Sequence, residues 1–136
     1  KGFALDKITA EVRKTLATLM QYGSDCGFVI FKLSARANYY LQFRFQNNAR
    51  ELYGECVSNH YLAADNAIGD VGREILDDAG WHAPVADSVS NYRQTVPIRS
   101  EPDLTEVSAQ AAMVMTAVFG VERPSDVEVN LYLGAS

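Results

Sequence analysis

The chain has 136 residues, 48% of them hydrophobic, with a net charge of -5 and a pI near 4.9. That length suffices for one two-layer core, and no apolar run approaches the ~20 residues that span a bilayer. An acidic balance argues against nucleic-acid binding, which depends on cations neutralising phosphates. The charge is uneven: residues 1–50 hold eight Lys/Arg against three Asp/Glu, and residues 51–136 hold four against fourteen. Either the halves complement each other within one fold, or an acidic end meets a basic partner. Cys26 and Cys56 lie outside any C-x-x-C motif and read as reduced, structural thiols. No secretory leader pattern opens the chain, so the expectation is cytoplasmic. The absent initiator Met and the bare "LGAS" ending suggest a processed or excised segment.

Leu5, Ile8, Val12, Leu16 and Leu19 recur every three or four residues and predict a first helix over 4–22, closed by Gly23. "FVIFKL" (28–33) reads as a strand. "YYLQFRFQ" (39–46) alternates, with Tyr39, Leu41, Phe43 and Phe45 on one face and Tyr40, Gln42, Arg44 and Gln46 on the other. "NNAR" turns, and "ELYGECVSN" (51–59) returns. A four-residue turn sets Phe45 opposite Leu52, Phe43 opposite Gly54 and Leu41 opposite Cys56 on one face, with Gln42 opposite Glu55 outside. Gly54 makes room for the Phe43 ring, and a slip of one residue would pair core positions with Tyr53 and Glu55. Val29, Phe31 and Leu33 should face inward and Lys32 outward. That needs an odd-length first turn, such as 36–38 with Asn38 left-handed.

After "NHYLAADN" a second helix is expected, with Ile68, Val71, Ile75, Leu76 and Ala79 as its buried stripe and Gly80 as its terminator. "NYRQTVPIR" (91–99) alternates with Tyr92, Val96 and Ile98 inward, and Pro97 assigns it to an edge or a bulge. "SEPD" resembles a capping box, Ser100 with Asp103, opening a helix to about 119 with Val107, Ala111, Val114 and Val118 inside. "DVEVNLYL" (126–133) closes the chain with Val127, Val129, Leu131 and Leu133 on one side. The order α-β-β-β-α-β-α-β predicts an α+β fold, an antiparallel five-stranded sheet with helices mainly on one face. No repeat, low-complexity tract or linker divides 1–136, so one domain is expected.

Chemistry is sparse. There is no phosphate loop and no G-x-S-x-G serine. Glu55, His60 and Asp65 form only a loose metal-ligand set, of a kind that arises by chance. Cys56 near His60 could suggest a thiol nucleophile, but the alternation puts Cys56 on the core face, where a thiol is inert packing. The reading is no enzyme, no cofactor and no metal. What remains is the outer sheet face: Phe28, Ile30, Tyr40, Tyr53 and Val57 among Lys32, Gln42, Arg44 and Glu55. Aromatics mixed with a few charges suit a protein-binding patch, and equally a wet sheet face with incidental tyrosines.

The layout and several short motifs carry a resemblance. They are Gln42-Phe43, Glu55, Asn59, Leu62, Gly80-Trp81 with Pro84, and Asn91-Tyr92. Over roughly 25–120 the chain resembles the actinobacterial TY-Chap group, in the superfamily of type III secretion chaperones and YbjN proteins. The resemblance implies a type III secretion chaperone-like fold. It also implies a non-catalytic cytoplasmic chaperone or adaptor that binds a client protein, with a homodimer as one assembly; the acidic balance and the lack of a spanning apolar run add the expectation of no nucleic-acid and no membrane partner. The strand after the last helix departs from the type III chaperone order, where the fourth and fifth strands precede that helix. The competing expectation is a small-molecule sensor with a pocket lined by Trp81, Phe43 and Met115.

Trp81, the only tryptophan, sits between Gly80 and Pro84. Gly80 supplies the positive φ that stops a helix and Pro84 prevents its restart, so the ring should fold back and plug the core. The structural positions expected are therefore Gly54, Gly80, Trp81 and Pro84.

Overall fold

The computed structural model describes residues 2–85 and 90–134. The elements follow in the order α1 (Gly2–Tyr22), β1 (Phe28–Leu33), β2 (Tyr40–Gln46), β3 (Glu51–Cys56), α2 (Asp70–Asp78), β4 (Tyr92–Pro97), α3 (Glu101–Ala117) and β5 (Val127–Tyr132). The five strands form one antiparallel sheet in the order β4-β3-β2-β1-β5. Residues 86–89, between α2 and β4 in sequence, lie outside the described residues.

The register follows the apolar alternation. Phe45 pairs with Leu52, Phe43 with Gly54 and Leu41 with Cys56, while Gln42 pairs with Glu55 on the opposite face. Asn38 takes a left-handed φ of 66° in the first hairpin, and Asn47, Asn48 and Ala49 do so in the second. Asn tolerates that conformation because its short polar side chain can bond locally. Pro97 lies on the edge strand β4, where its missing N–H leaves no ladder gap.

The side chains on the inner face of the sheet, Val29, Phe31, Leu41, Phe43, Leu52, Cys56 and Tyr92 among them, are buried. The helices meet them there. Ile8, Val12, Leu16 and Leu19 of α1 are buried along one stripe. In α3 burial is wider than one stripe: Ser108, Ala112 and Met115 are covered as well as Leu104, Val107, Ala111 and Val114. The second covered side is explained by α1, which makes the most extensive helix–helix contact with α3 and pairs Arg13 with Glu101 and Thr105. Gln110 links the remaining pieces, accepting from Gln94 of β4 at 2.8 Å and donating to the Ala79 carbonyl after α2 at 2.6 Å. All three helices thus cover one face.

Two helix details differ from the sequence reading. Val71 is 72% exposed, not part of the buried stripe. The helix begins only at Asp70, and five residues, about 140° at ~100° per residue, separate Val71 from the buried Leu76. Ser100 occupies the N-cap of α3 without a side-chain cap bond. Asp103 instead accepts the backbone N–H of Arg99 at 2.8 Å.

The α2 terminus explains the tryptophan. Gly80 has φ 90°, its N–H donates to the Asp77 carbonyl and the Trp81 N–H donates to that of Leu76. That is a Schellman motif, in which the residue after the glycine packs back on the last turn. Trp81 is 1% exposed, with its ring 6.2 Å from the Phe43 ring. A Cβ at Gly54 would stand 2.8 Å from Phe43 Cε1 and 3.0 Å from Trp81 Cη2. Glycine is therefore required at the base of this stack. Pro84 follows, half-buried, beyond the His82–Arg93 bridge to β4. Trp81→Ala should lower unfolding free energy by about 3–5 kcal/mol, and Gly54→Ala by about 1–3 kcal/mol through overpacking. Urea denaturation measures both; an unchanged midpoint for Trp81→Ala would contradict the plug.

Candidate functional site

With the helices on one side, the outer face of the sheet is built from the alternate residues of every strand. Cross-strand pairing sets out its rows. One runs Asn130, Ile30, Gln42, Glu55, Arg93; another Arg44, Tyr53, Thr95; a third Glu128, Lys32, Tyr40. Phe28, Ile30, Tyr40, Gln42 and Tyr53 are all part-exposed on this face. Val57 is not among them. It is fully buried, because the strand ends at Cys56 and the alternation ends with it.

The face has local order. The Phe28 and Tyr132 rings lie 5.3 Å apart, and the Arg44 guanidinium sits over the Tyr53 ring at 5.0 Å, a cation–π contact. Gln42, Arg44, Tyr53 and Glu55 border a dimple of about 30 Å³. At the end of β3, Asn91 acts as a clamp. Its Oδ1 accepts the Ser58 N–H at 3.1 Å, and its Nδ2 donates to Tyr40 Oη at 2.8 Å and Glu55 Oε1 at 3.3 Å. Asn91 thereby fixes the orientation of Tyr40 and Glu55. Opposite charges also meet here, Glu55 beside Arg93 and Lys32 beside Glu128, so the face has no dominant sign.

The residues that might have supplied chemistry are dispersed. Cys56 is buried, and burial pushes its thiol far above the usual range, so it is not a nucleophile at neutral pH. His60 is exposed and stacks edge-on against Tyr61, while Glu55 turns to Asn91. Among the described residues, no three of His, Cys, Asp and Glu gather around one point. The sensor pocket expected at Trp81, Phe43 and Met115 is filled where Trp81 packs on Phe43 and Gly54. Met115 alone of those three borders a surface groove of about 300 Å³, lined also by Ile8, Val12, Phe31, Val127 and Val129.

The comparisons with known proteins fit this geometry. Residues 8–132 match the profile of TY-Chap3, described as the T3SS (YopN, CesT) and YbjN peptide-binding chaperone 3. The chain belongs to the TY-Chap3 family. The match extends beyond the 25–120 of the initial resemblance, taking in most of α1 and all of β5. The strand that departs from the type III chaperone order is therefore inside the family's own pattern. No curated protein and no solved structure matches the chain significantly. Among the described residues, no helix is long and apolar enough to cross a membrane.

Several residues of the short motifs that carried the resemblance hold the scaffold. Asn59 accepts the Ile68 N–H at 2.7 Å and donates to the Ile68 carbonyl at 3.0 Å, mimicking a strand pair. Leu62 and Tyr92 are buried. Sequence reasoning missed a second clamp. Arg36 donates twice to Asn66 Oδ1 and lies over the Tyr39 ring at 4.1 Å, while Tyr39 Oη donates to the Asn66 carbonyl at 2.7 Å. Only the position of Tyr39 on the inner face hinted at it.

Tyr39, Tyr40, Tyr53 and Tyr92 all have pKa values raised above the usual phenolic 10.0, in each case mainly by burial. For Tyr40 the Asn91 hydrogen bond opposes that shift and the Glu55 charge adds to it. A group held protonated in the folded state stabilises it fully below the unfolded pKa, and that stability is lost as pH rises through the folded pKa. Thermal melts should therefore show stability falling steadily above about pH 10. The NMR ring signals of these four tyrosines should keep their phenol shifts until structure is lost; phenolate shifts at these four in a chain still fully folded would contradict the raised values.

Proposed function

We propose that the chain is a non-catalytic chaperone or adaptor that holds a segment of a client protein on the helix-free face of its sheet. The observation that carries the reading is that open face, mixed aromatic and polar, in a member of a peptide-binding chaperone family. Phe28, Ile30, Tyr40, Gln42 and Tyr53 form the contact surface. Tyrosines and an arginine–aromatic pair supply large contact area at low entropic cost, and balanced charge suits a client of mixed composition. Burying such a patch contributes on the order of several kcal/mol at ~25 cal/mol per Å² of apolar area. Once association costs are deducted, a reversible complex results, as holding and releasing a client requires. Two free cysteines suit a reducing cytoplasm, where we place the protein.

Tyr40→Ser with Tyr53→Ser tests the surface. The unaltered chain, used as bait in its native cell, should recover a reproducible client by mass spectrometry, and the double variant should lose it while keeping its far-UV circular dichroism. Undiminished recovery by a folded double variant would remove the outer face from the account.

A further inference from the structure

Cross-strand pairing collects rings of the outer face into one row. Tyr132 pairs with Phe28, and the register that joins Val29 to Phe43 sets Phe28 alongside Arg44. Arg44 pairs in turn with Tyr53, and Tyr53 with Thr95, so the row crosses all five strands. Tyr132 is 50% exposed, Phe28 and Tyr53 are half-buried, and Arg44 and Thr95 are exposed. The neighbouring row, Asn130 to Arg93, contains no ring. Strands lie ~4.8 Å apart, so the Phe28 and Tyr53 positions, two strands apart, are separated by ~9.6 Å with the Arg44 cation midway. The hollow of about 30 Å³ beside Arg44 and Tyr53 has room for about one water and none for a large side chain.

Resting on the client reading, we propose that this row takes a proline-rich client segment in the polyproline II conformation. One proline lies on the Phe28 and Tyr132 rings and another, a turn further on, lies at Tyr53. Period decides the conformation. A polyproline II helix repeats every three residues, ~9.3 Å, which matches the ~9.6 Å between the ring positions. An extended strand laid along the row would repeat every ~6.8 Å and fall out of step. An amphipathic helix would lay a continuous apolar stripe over Arg44, burying that cation without a partner. Hydrogen-bond chemistry decides the composition. Proline has no N–H, so the segment offers chiefly carbonyl acceptors, and the row offers donors in Tyr132, Arg44, Tyr53 and Thr95. Prolines stacked on aromatic rings need no deep pocket, and a preformed polyproline helix has little entropy to lose. Charge decides what stands between the prolines. Arg44 is the only ionised side chain of the row and holds the Tyr53 ring in cation–π contact at 5.0 Å. An acidic residue there completes the site with a charge-assisted bond to the guanidinium, and a basic one is repelled.

Fluorescence anisotropy of a labelled peptide of Pro-Pro-Glu repeats, titrated with the chain from about 1 µM to about 1 mM, should show saturable binding. The same peptide built from D-amino acids keeps composition and charge but winds with the opposite hand, and should bind at least ~tenfold more weakly. A peptide of Pro-Pro-Lys repeats should also bind at least ~tenfold more weakly, and Arg44→Glu should reverse the order of the Glu and Lys peptides with unchanged far-UV circular dichroism. Equal binding of the L and D peptides, no binding up to the highest concentration, or an order that Arg44→Glu leaves unaltered overturns the proline assignment. The outer-face reading is decided separately, by recovery of the native client with the Tyr40→Ser, Tyr53→Ser variant. A client lost from that variant beside a proline peptide that never binds leaves the outer face standing and this inference overturned.

Discussion

Everything in this molecule follows from a sheet that is apolar on one face. The alternation of β1 to β3 sends Val29, Phe31, Leu41, Phe43, Leu52 and Cys56 to a single side, where all are essentially inaccessible. Burial at ~25 cal/mol per Å² draws the helices to that side, because only there is apolar area to remove from water. Three helices cover it, α3 buried on more than one side, and Trp81 closes the corner beside Gly54. Among the described residues, no helix covers the other face. Its openness is a consequence of where the core had to be.

Much of this was legible in the residues. The β2–β3 register could be worked out because Gly54 and Glu55 make any slip costly, and the Gly80 terminator could be read because only a positive φ ends a helix that way. What stayed hidden depends on contacts between distant parts of the chain. The exposure of Val71 follows from where α2 begins, which Asn59 decides by binding Ile68. The burial of Val57 follows from where β3 stops. The Asn91 clamp joins residues 51 positions apart, and no local pattern announces it. Hydrophobic period fixes faces; the ends of elements are fixed by polar pairs, and those are not periodic.

The same division bears on function. Of the short motifs that carried the resemblance, Phe43, Leu62, Trp81 and Tyr92 lie in the core and Asn59 in a clamp, whereas Gln42 and Glu55 lie on the open face. Ile30, Arg44 and Tyr53 also stand on the open face, with the Arg44 guanidinium over the Tyr53 ring.

Access to the outer face is therefore the point on which the account turns. A soluble gadolinium chelate broadens NMR signals of side chains in proportion to their approach to solvent, and the methyls of Ile30 and Leu41 lie on opposite faces of neighbouring strands. The account predicts strong broadening of Ile30 with Leu41 untouched. Ile30 methyls as well shielded as those of Leu41 would mean that the face is covered, and the proposed client surface would not exist.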